Sequence, residues 1–345
     1  MRQALGMALI GLFGVFLWTL LQGPSSANAA PTQFTSSTQC FACHQEQADE
    51  WQSGQHSGSW TGPEVRRLSG DFSNQDCIDC HAPEPVFVTG IGERVQPRTL
   101  RRPEGVDCLT CHALPDGGVA ASFTNPGAPC SPVEKVDLAR ADLCVGCHNQ
   151  HETVNQWRGS DYFEQRVSCI DCHMPARDGD PKNGRNHAMC GGSDPEMVRA
   201  AVDLEVRSDG DGGWIATVIN QGVGHSFPTD ERSRAADLFW RPVGGAEDAP
   251  WEHFYRFRSP YRDETELEDT LLLVHESRDV PVLDHDQGFL GSGGPAGGAP
   301  ATGAIEVLLV YKRSPFYADL TQPLSAPDAI EVHRVVLPEG AATPR

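Results

Sequence analysis

Five copies of one short pattern, C-x-x-C-H, fall at Cys40/Cys43/His44, Cys77/Cys80/His81, Cys108/Cys111/His112, Cys144/Cys147/His148 and Cys169/Cys172/His173, taking up ten of the twelve cysteines. No other feature restricts the chain so strongly. A lone C-x-x-C fits a zinc knuckle or a redox dithiol, but a histidine directly after the second cysteine is the attachment signature of c-type haem. The order of residues follows from the chemistry. Two thiols at this spacing can add to the two vinyl groups of one porphyrin, and the adjacent histidine then stands under the iron as its proximal ligand. Zinc also takes cysteine and histidine tetrahedrally, yet it does not require histidine beside the second cysteine every time. The sequence therefore predicts five covalently attached haem c groups, with those ten cysteines as thioether donors and those five histidines as first iron ligands.

Such a load decides what the surrounding chain can be. All twelve cysteines lie between residues 40 and 190, and none follows. In the cysteine-bearing part each haem has roughly 30 residues to itself, too few to bury it in a conventional apolar core, so the porphyrins must supply much of that core themselves. Short helices and long loops are expected there, over residues 30–197. From about residue 198 the pattern changes to a period of two. Val202, Leu204 and Val206 alternate with charged residues, a Ser-Asp-Gly-Asp-Gly-Gly turn covers 208–213, and Trp214, Ala216 and Val218 resume the alternation. This is a hairpin pattern. Its Asp-Gly run lacks the length and closing glutamate of an EF-hand loop. Further strands are expected at 270–275, 305–312 and 330–336, with a glycine-rich break at 288–303. Together these predict an α+β protein in which an antiparallel β-sandwich over 198–345 follows the haem segment.

Ahead of both parts, Arg2 precedes an apolar run over 4–21 and the small residues Ala27, Asn28 and Ala29. This has the form of a secretory signal peptide over 1–29, cleaved after Ala29; an uncleaved membrane anchor is the alternative, since the run is about long enough to cross a bilayer. Either places the haems in a periplasmic or other extracytoplasmic compartment. A net charge of -20 argues against nucleic acid as a partner, because phosphate backbones call for basic surfaces. A basic surface on a redox partner would be drawn to it instead.

Each iron also needs a ligand on its other face. Of thirteen histidines, eight lie outside the motifs. In CVGCHNQH, His148 and His151 are three apart and project to the same side, so they cannot clasp one iron; His151 is expected to serve another haem. His56 in EWQSGQHSGSW, His187 in GRNHAMCGG and His225 in NQGVGHSFPTD are the other candidates. His253, His275, His285 and His333 are read as ordinary surface or core histidines. Met174 is read as packing, Cys190 as a rival to His187, and Cys130 and Cys190 as a possible disulfide in an oxidising compartment.

Three stretches carry a family resemblance: CFACHQEQADEWQSGQH, GVDCLTCH and CVGCHNQHETVNQWRGSDYFEQRVSCIDCHMP. Over residues 40 to about 195 the chain resembles the multihaem c-type cytochrome superfamily of hydroxylamine oxidoreductase, the octahaem reductases and the tetrahaem carriers of nitrifiers. The resemblance implies haem ligation by His56 and His151, and by His225 from a β domain following the haem segment. An internal echo places Trp157 and Tyr162 where Trp51 and His56 stand after an earlier motif, putting a phenol in a ligand slot; packing against porphyrin is the reading preferred for Tyr162. The chain also departs from the pentahaem nitrite reductases, which carry a lysine-ligated haem. All five motifs end in histidine, and Lys135, Lys182 and Lys312 stand beside no second cysteine.

The function expected is single-electron transfer along a haem chain between redox partners, with quinol-oxidising membrane cytochromes on one side and periplasmic or outer-surface acceptors on the other. Two rivals remain open. A reductase or oxidase of a small nitrogen or sulfur species would need one open iron, because five proximal histidines meet four distal candidates. A binding or assembly role for the β domain would use unpaired strand edges.

Overall fold

The computed structural model describes residues 34–229, 233–243, 250–261, 263–284, 299–300 and 303–337. The segment 1–29, His285 and most of the glycine-rich stretch 288–303 lie outside these residues. No helix among the described residues is long and apolar enough to cross a membrane.

The cysteine-bearing part is built of short helices, and each motif sits on one or runs out of it: Thr38–Phe41, Ile78–His81, Cys108–His112, Asp142–His148 and Cys169–His173. One helical turn suits the motif, since residues three and four apart share a face and both thiols and the imidazole then project together. Local capping holds two of these turns. Asp107 accepts the Thr110 amide at 2.8 Å while Thr110 Oγ1 accepts the Asp107 amide at 3.2 Å, and Asp171 Oδ2 accepts the Ser168 amide at 2.8 Å. Apolar packing is sparse here, as expected. Phe72, Ile78 and Ala82 form a small cluster with Trp60 and Val65 against it.

The second part is antiparallel and two-layered. We number its strands β1 (Asp203–Ser208), β2 (Trp214–Ile219), β3 (Ala235–Pro242), β4 (Glu252–Phe257), β5 (Ser277–Pro281), β6 (Ile305–Lys312) and β7 (Ala329–Leu337). One sheet runs β7-β6-β3-β4 and the other β1-β2-β5. Ala216 and Val218 of β2, Val280 of β5, Leu238 and Trp240 of β3, and Val307 and Leu309 of β6 share one core between the sheets. Strand β6 is buried at every position. Its odd residues face that core, while Leu308 and Val310 pack outward with Phe239 and Trp251 under Tyr317 and Leu320.

The expected hairpin is present: Leu204 pairs with Val218 and Val206 with Ala216. Strands 305–312 and 330–336 are present as β6 and β7. Residues 270–275 do not form a strand. Leu272 makes a single bridge to Phe227, and His275 then turns the chain with a φ of +60°, so extended pairing begins only at Ser277. Strands β3 and β4 escaped the sequence reading because charged residues sit inside them: Asp237, His253 and Arg256 are all buried.

Candidate haem centres

Motif thiols from different helices meet. Cys40 lies beside Cys108, Cys80 beside Cys147, and Cys144 beside Cys169. Cys111 lies within electrostatic reach of Cys144 and Cys147. The attachment points thus follow one another in the order first, third, fourth, fifth motif, with the second beside the fourth. Buried Arg98 fixes part of this arrangement. Its guanidinium donates to Pro83 O at 3.3 Å and Gly105 O at 2.5 Å and pairs with Asp107 Oδ1 at 3.3 Å, tying the exit of the second motif to the cap of the third.

The ten motif cysteines are not equally enclosed, although all ten carry the same expected role. Cys43 and Cys172 are exposed, whereas the other eight are half-buried, and neither exposed cysteine takes part in the three thiol contacts above. Cys43 differs from Cys172 in where the backbone places it. The reason is local: the first motif's helix stops at Phe41, so Cys43 falls in the turn that follows, outside the helix that holds Cys40. The turn still keeps helical spacing, because the amides of Cys43 and His44 both donate to Cys40 O, at 3.2 and 3.0 Å. Cys43 thus stays within one turn of Cys40, as a thioether pair requires, but at the solvent edge of its centre. Cys172 is the corresponding edge at the fifth motif, the other end of the sequence of contacts.

Histidines remote in sequence face one another across this cluster. His56 and His148 have ring centroids 6.0 Å apart, His112 and His187 6.3 Å, and His173 and His225 6.4 Å. Two imidazoles binding opposite faces of one metal ion, each through a bond of about 2 Å, have their centroids about 6 Å apart. All three separations fit an iron between the rings, so the residues present suit a haem iron. Each pair joins a motif histidine to one of the candidates found outside the motifs.

The second nitrogen of most of these rings is engaged by the backbone. Nδ1 of His112 donates to Ala120 O at 2.8 Å, His173 to Cys190 O at 2.6 Å, His187 to Arg185 O at 2.8 Å and His225 to Ser226 O at 3.0 Å. His81 donates to Ser59 O at 2.7 Å. A carbonyl on Nδ1 selects the tautomer whose Nε2 carries the free lone pair and fixes the ring's orientation, as in metal-bound histidines. Burial also keeps the rings neutral. It is the main cause of the lowered pKa of His112, His148, His187 and His225, and with the charges of His148 and His81 it pushes His56 down to about 4. His148 has neighbouring protein on many sides, yet the residue is exposed.

His151 takes a place of its own. It stands in the turn after the fourth motif helix, half-buried, beside Gln150, whose amide contacts Cys80 Sγ of the second motif at 3.1 Å. His44 belongs to the first motif and acts electrostatically on both His112 and His187. The histidines read as ordinary are engaged elsewhere: His253 with Asp237 at 2.9 Å, His275 with Asp161 at 2.7 Å and His333 with Val202 O at 2.6 Å.

Other expectations resolve as follows. Cys130 and Cys190 carry free thiols and form no disulfide. Cys190 is no rival to His187: its carbonyl orients His173 and its thiol hydrogen-bonds Asp194. Tyr162 packs against the β part, its ring parallel to that of His275 at 5.9 Å. Sequence reading missed Met189, whose sulfur lies 2.6 Å from His56 Nδ1. The described residues contain no cluster of three or more His, Cys, Asp or Glu side chains of the kind a closed zinc site requires.

Residues 39–113 match the family described as cytochrome c554 and c-prime. A crystal structure of a penta-heme cytochrome c552 from Thermochromatium tepidum has a similar fold, with a TM-score of 0.56 over 88% of this chain and 98% of that one at 17% identity. An uncharacterized protein of Archaeoglobus fulgidus is 22% identical over 214 residues. That match spans 55% of this chain and 59% of the relative's length. The motifs, the family match and the fold support a multihaem c-type cytochrome with covalently bound haem.

Proposed function

We propose that the chain is an extracytoplasmic pentahaem cytochrome that passes single electrons between redox partners. The observation that carries this reading is the set of three histidine pairs at 6.0, 6.3 and 6.4 Å, each uniting a C-x-x-C-H histidine with one from elsewhere in the chain. The penta-heme neighbour supports the count of five. Haem iron held by two histidines would supply one-electron chemistry. The protein's own residues then choose the ligands, fix their orientation through backbone carbonyls and exclude water.

In this reading His148 and His56 bind the fourth haem, His112 and His187 the third, and His173 and His225 the fifth. His151 serves the second haem, beside which Gln150 places it. Proximity of cysteines from the first and third, second and fourth, and fourth and fifth motifs would bring the haem edges together, the arrangement that electron transfer along the chain requires. Quinol-oxidising membrane cytochromes and periplasmic or outer-surface acceptors are the partners proposed.

Two measurements test this. Haem extracted into alkaline pyridine after proteolysis should remain attached to peptide and be quantified at five per chain. Low-temperature electron paramagnetic resonance of the oxidised protein should show low-spin haems at the second to fifth motifs, where two histidines are assigned, with signals unmoved by nitrite or hydroxylamine. A high-spin signal that shifts with either ligand would replace the carrier by an enzyme with an exchangeable iron.

A further inference from the structure

The fifth haem differs from the third and fourth in one respect. Its proximal histidine, His173, belongs to the helical part, whereas His225 is delivered by a loop of the β part between β2 and β3. An iron bound by both bridges the two parts, and the bond persists only while the loop stays in register with the motif helix.

The loop cannot fix that register alone. It contains Gly222 and Gly224, which lose more conformational freedom on ordering than any other residue type. Both are needed for close approach: a Cβ on Gly222 would lie 2.0 Å from Ala200 O, and one on Gly224 would lie 3.0 Å from Cγ of Tyr162. The Tyr162 ring thus lies directly against the backbone adjoining His225. Its hydroxyl donates to Gln221 O at 3.3 Å, and nearby Gln156 accepts the Ser226 amide at 3.1 Å. The tyrosine is itself held in place. His275 lies parallel to its ring at 5.9 Å and is tied to Asp161 Oδ1 at 2.7 Å, one residue before the tyrosine. His275 reaches this position from a left-handed backbone, φ +60°, a conformation that non-glycine residues hold only where their surroundings impose it. Cys172 of the fifth motif lies within electrostatic reach of the same phenol, so Tyr162 is near the attachment point of the haem as well as against the loop carrying its second ligand.

We propose that Tyr162, backed by His275 and Asp161, is a positioning residue that holds His225 against the iron of the fifth haem. The inference rests on the ligation described under the proposed function. It makes the aromatic contact between the two parts of the chain a determinant of one haem's coordination, since a preorganised ligand shell depends on the packing that locks it.

The test uses the full-length, haem-loaded protein and its His225→Ala, Tyr162→Ala, Tyr162→Phe and His275→Ala variants. Spin state is read by electron paramagnetic resonance in the oxidised protein, and carbon monoxide binding is timed after reduction. His225→Ala should convert one haem to high spin. Tyr162→Ala should give that same haem a partial high-spin signal and bind carbon monoxide there at least tenfold faster than wild type, because the probe enters when His225 leaves. Tyr162→Phe keeps the ring and should stay within twofold of wild type. His275→Ala removes the ring that backs Tyr162, a histidine side chain itself 54% exposed, and should fall between the two. If His225→Ala leaves the spectrum unchanged, the ligation reading fails and this proposal with it. If His225→Ala gives its high-spin haem while Tyr162→Ala and His275→Ala match wild type, only the positioning role is overturned. Should Tyr162→Ala fail to mature, His275→Ala decides: faster binding upholds the role and a wild-type rate ends it.

Discussion

The imidazole of His56 lies 6.0 Å from that of His148, although one follows the first C-x-x-C-H motif and the other closes the fourth. The helix Gln45–Ser53 carries the chain from the first motif across to the fourth, and Trp51 secures the crossing by donating to Val106 O at 2.8 Å. Replacing His56 by alanine is expected to turn the fourth haem high-spin and open it to carbon monoxide while the others keep their low-spin signals. His253→Ala, remote from every motif, should leave all haem spectra unchanged. The check is resonance spectroscopy of both variants with haem content matched to wild type.

A backbone contact joins two of these centres. Gly54 packs so closely on the segment after His187 that a Cβ there would lie 2.3 Å from Ala188 O. Neither backbone can yield as a flexible side chain would. Gly54→Ala should therefore push apart the segments bearing His56 and His187, perturbing the third and fourth haems together and sparing the fifth. Redox titration followed optically would show two shifted haems rather than one.

Arg98 offers a stability test in the haem part. Burial lowers its pKa while Asp107 works against that shift, and the guanidinium answers several backbone carbonyls besides. Removing it leaves the buried Asp107 carboxylate with Arg101 as its remaining cationic partner, and breaking a buried pair in this way typically costs about 3 to 5 kcal/mol. Arg98→Met should lower the denaturation midpoint accordingly. Arg98→Lys should not restore it, because an ammonium cannot reproduce the planar fork.

The β part should respond to acid through Asp237. This fully buried carboxylate accepts Arg256 Nε at 2.6 Å, His253 Nε2 at 2.9 Å and the Tyr317 hydroxyl at 2.8 Å. Burial alone would raise its pKa, but Arg256 and His253 more than offset this and hold it at about 2, below the ordinary 3.8. A folded-state value below the unfolded one stabilises the fold above the unfolded value, and that contribution is lost as pH falls through the folded one. The loss, about 2 kcal/mol, should fall between about pH 4 and pH 2. Tryptophan fluorescence during acid titration should record it, and Asp237→Asn should remove this pH dependence while destabilising the protein at neutral pH.

Much of the chemistry was legible in the sequence because haem attachment needs residues of fixed type at fixed spacing within one short motif. The enclosure of each thiol was not: Cys43 and Cys40 read identically as a pair, and only the fold shows one of them exposed. The distal candidates His56, His187 and His225 were also legible, but not their partners, since pairing depends on how helices far apart in the chain pack together. The hairpin and β6 announced themselves by alternation or continuous apolarity. Strands β3 and β4 did not, because Asp237, His253 and Arg256 neutralise one another across neighbouring strands, and their compatibility with a buried sheet shows only once the strands are paired. Residues 270–275 erred the other way: TLLLVH reads as a strand, yet Leu272 joins the β core with a single backbone bridge to Phe227 and the chain then turns to bring His275 to Tyr162.

The origin of His225 in the β part gives maturation a direction. Synthesis delivers every C-x-x-C-H motif before the loop that carries His225, and in the proposed ligation that histidine would reach its iron once the β part had folded around the loop. In the ligation proposed here, the spin state of that haem is a built-in report on folding. A chain with all its haems attached but its sheets unformed would differ spectroscopically from the finished protein, so completion of the electron path would coincide with completion of the fold.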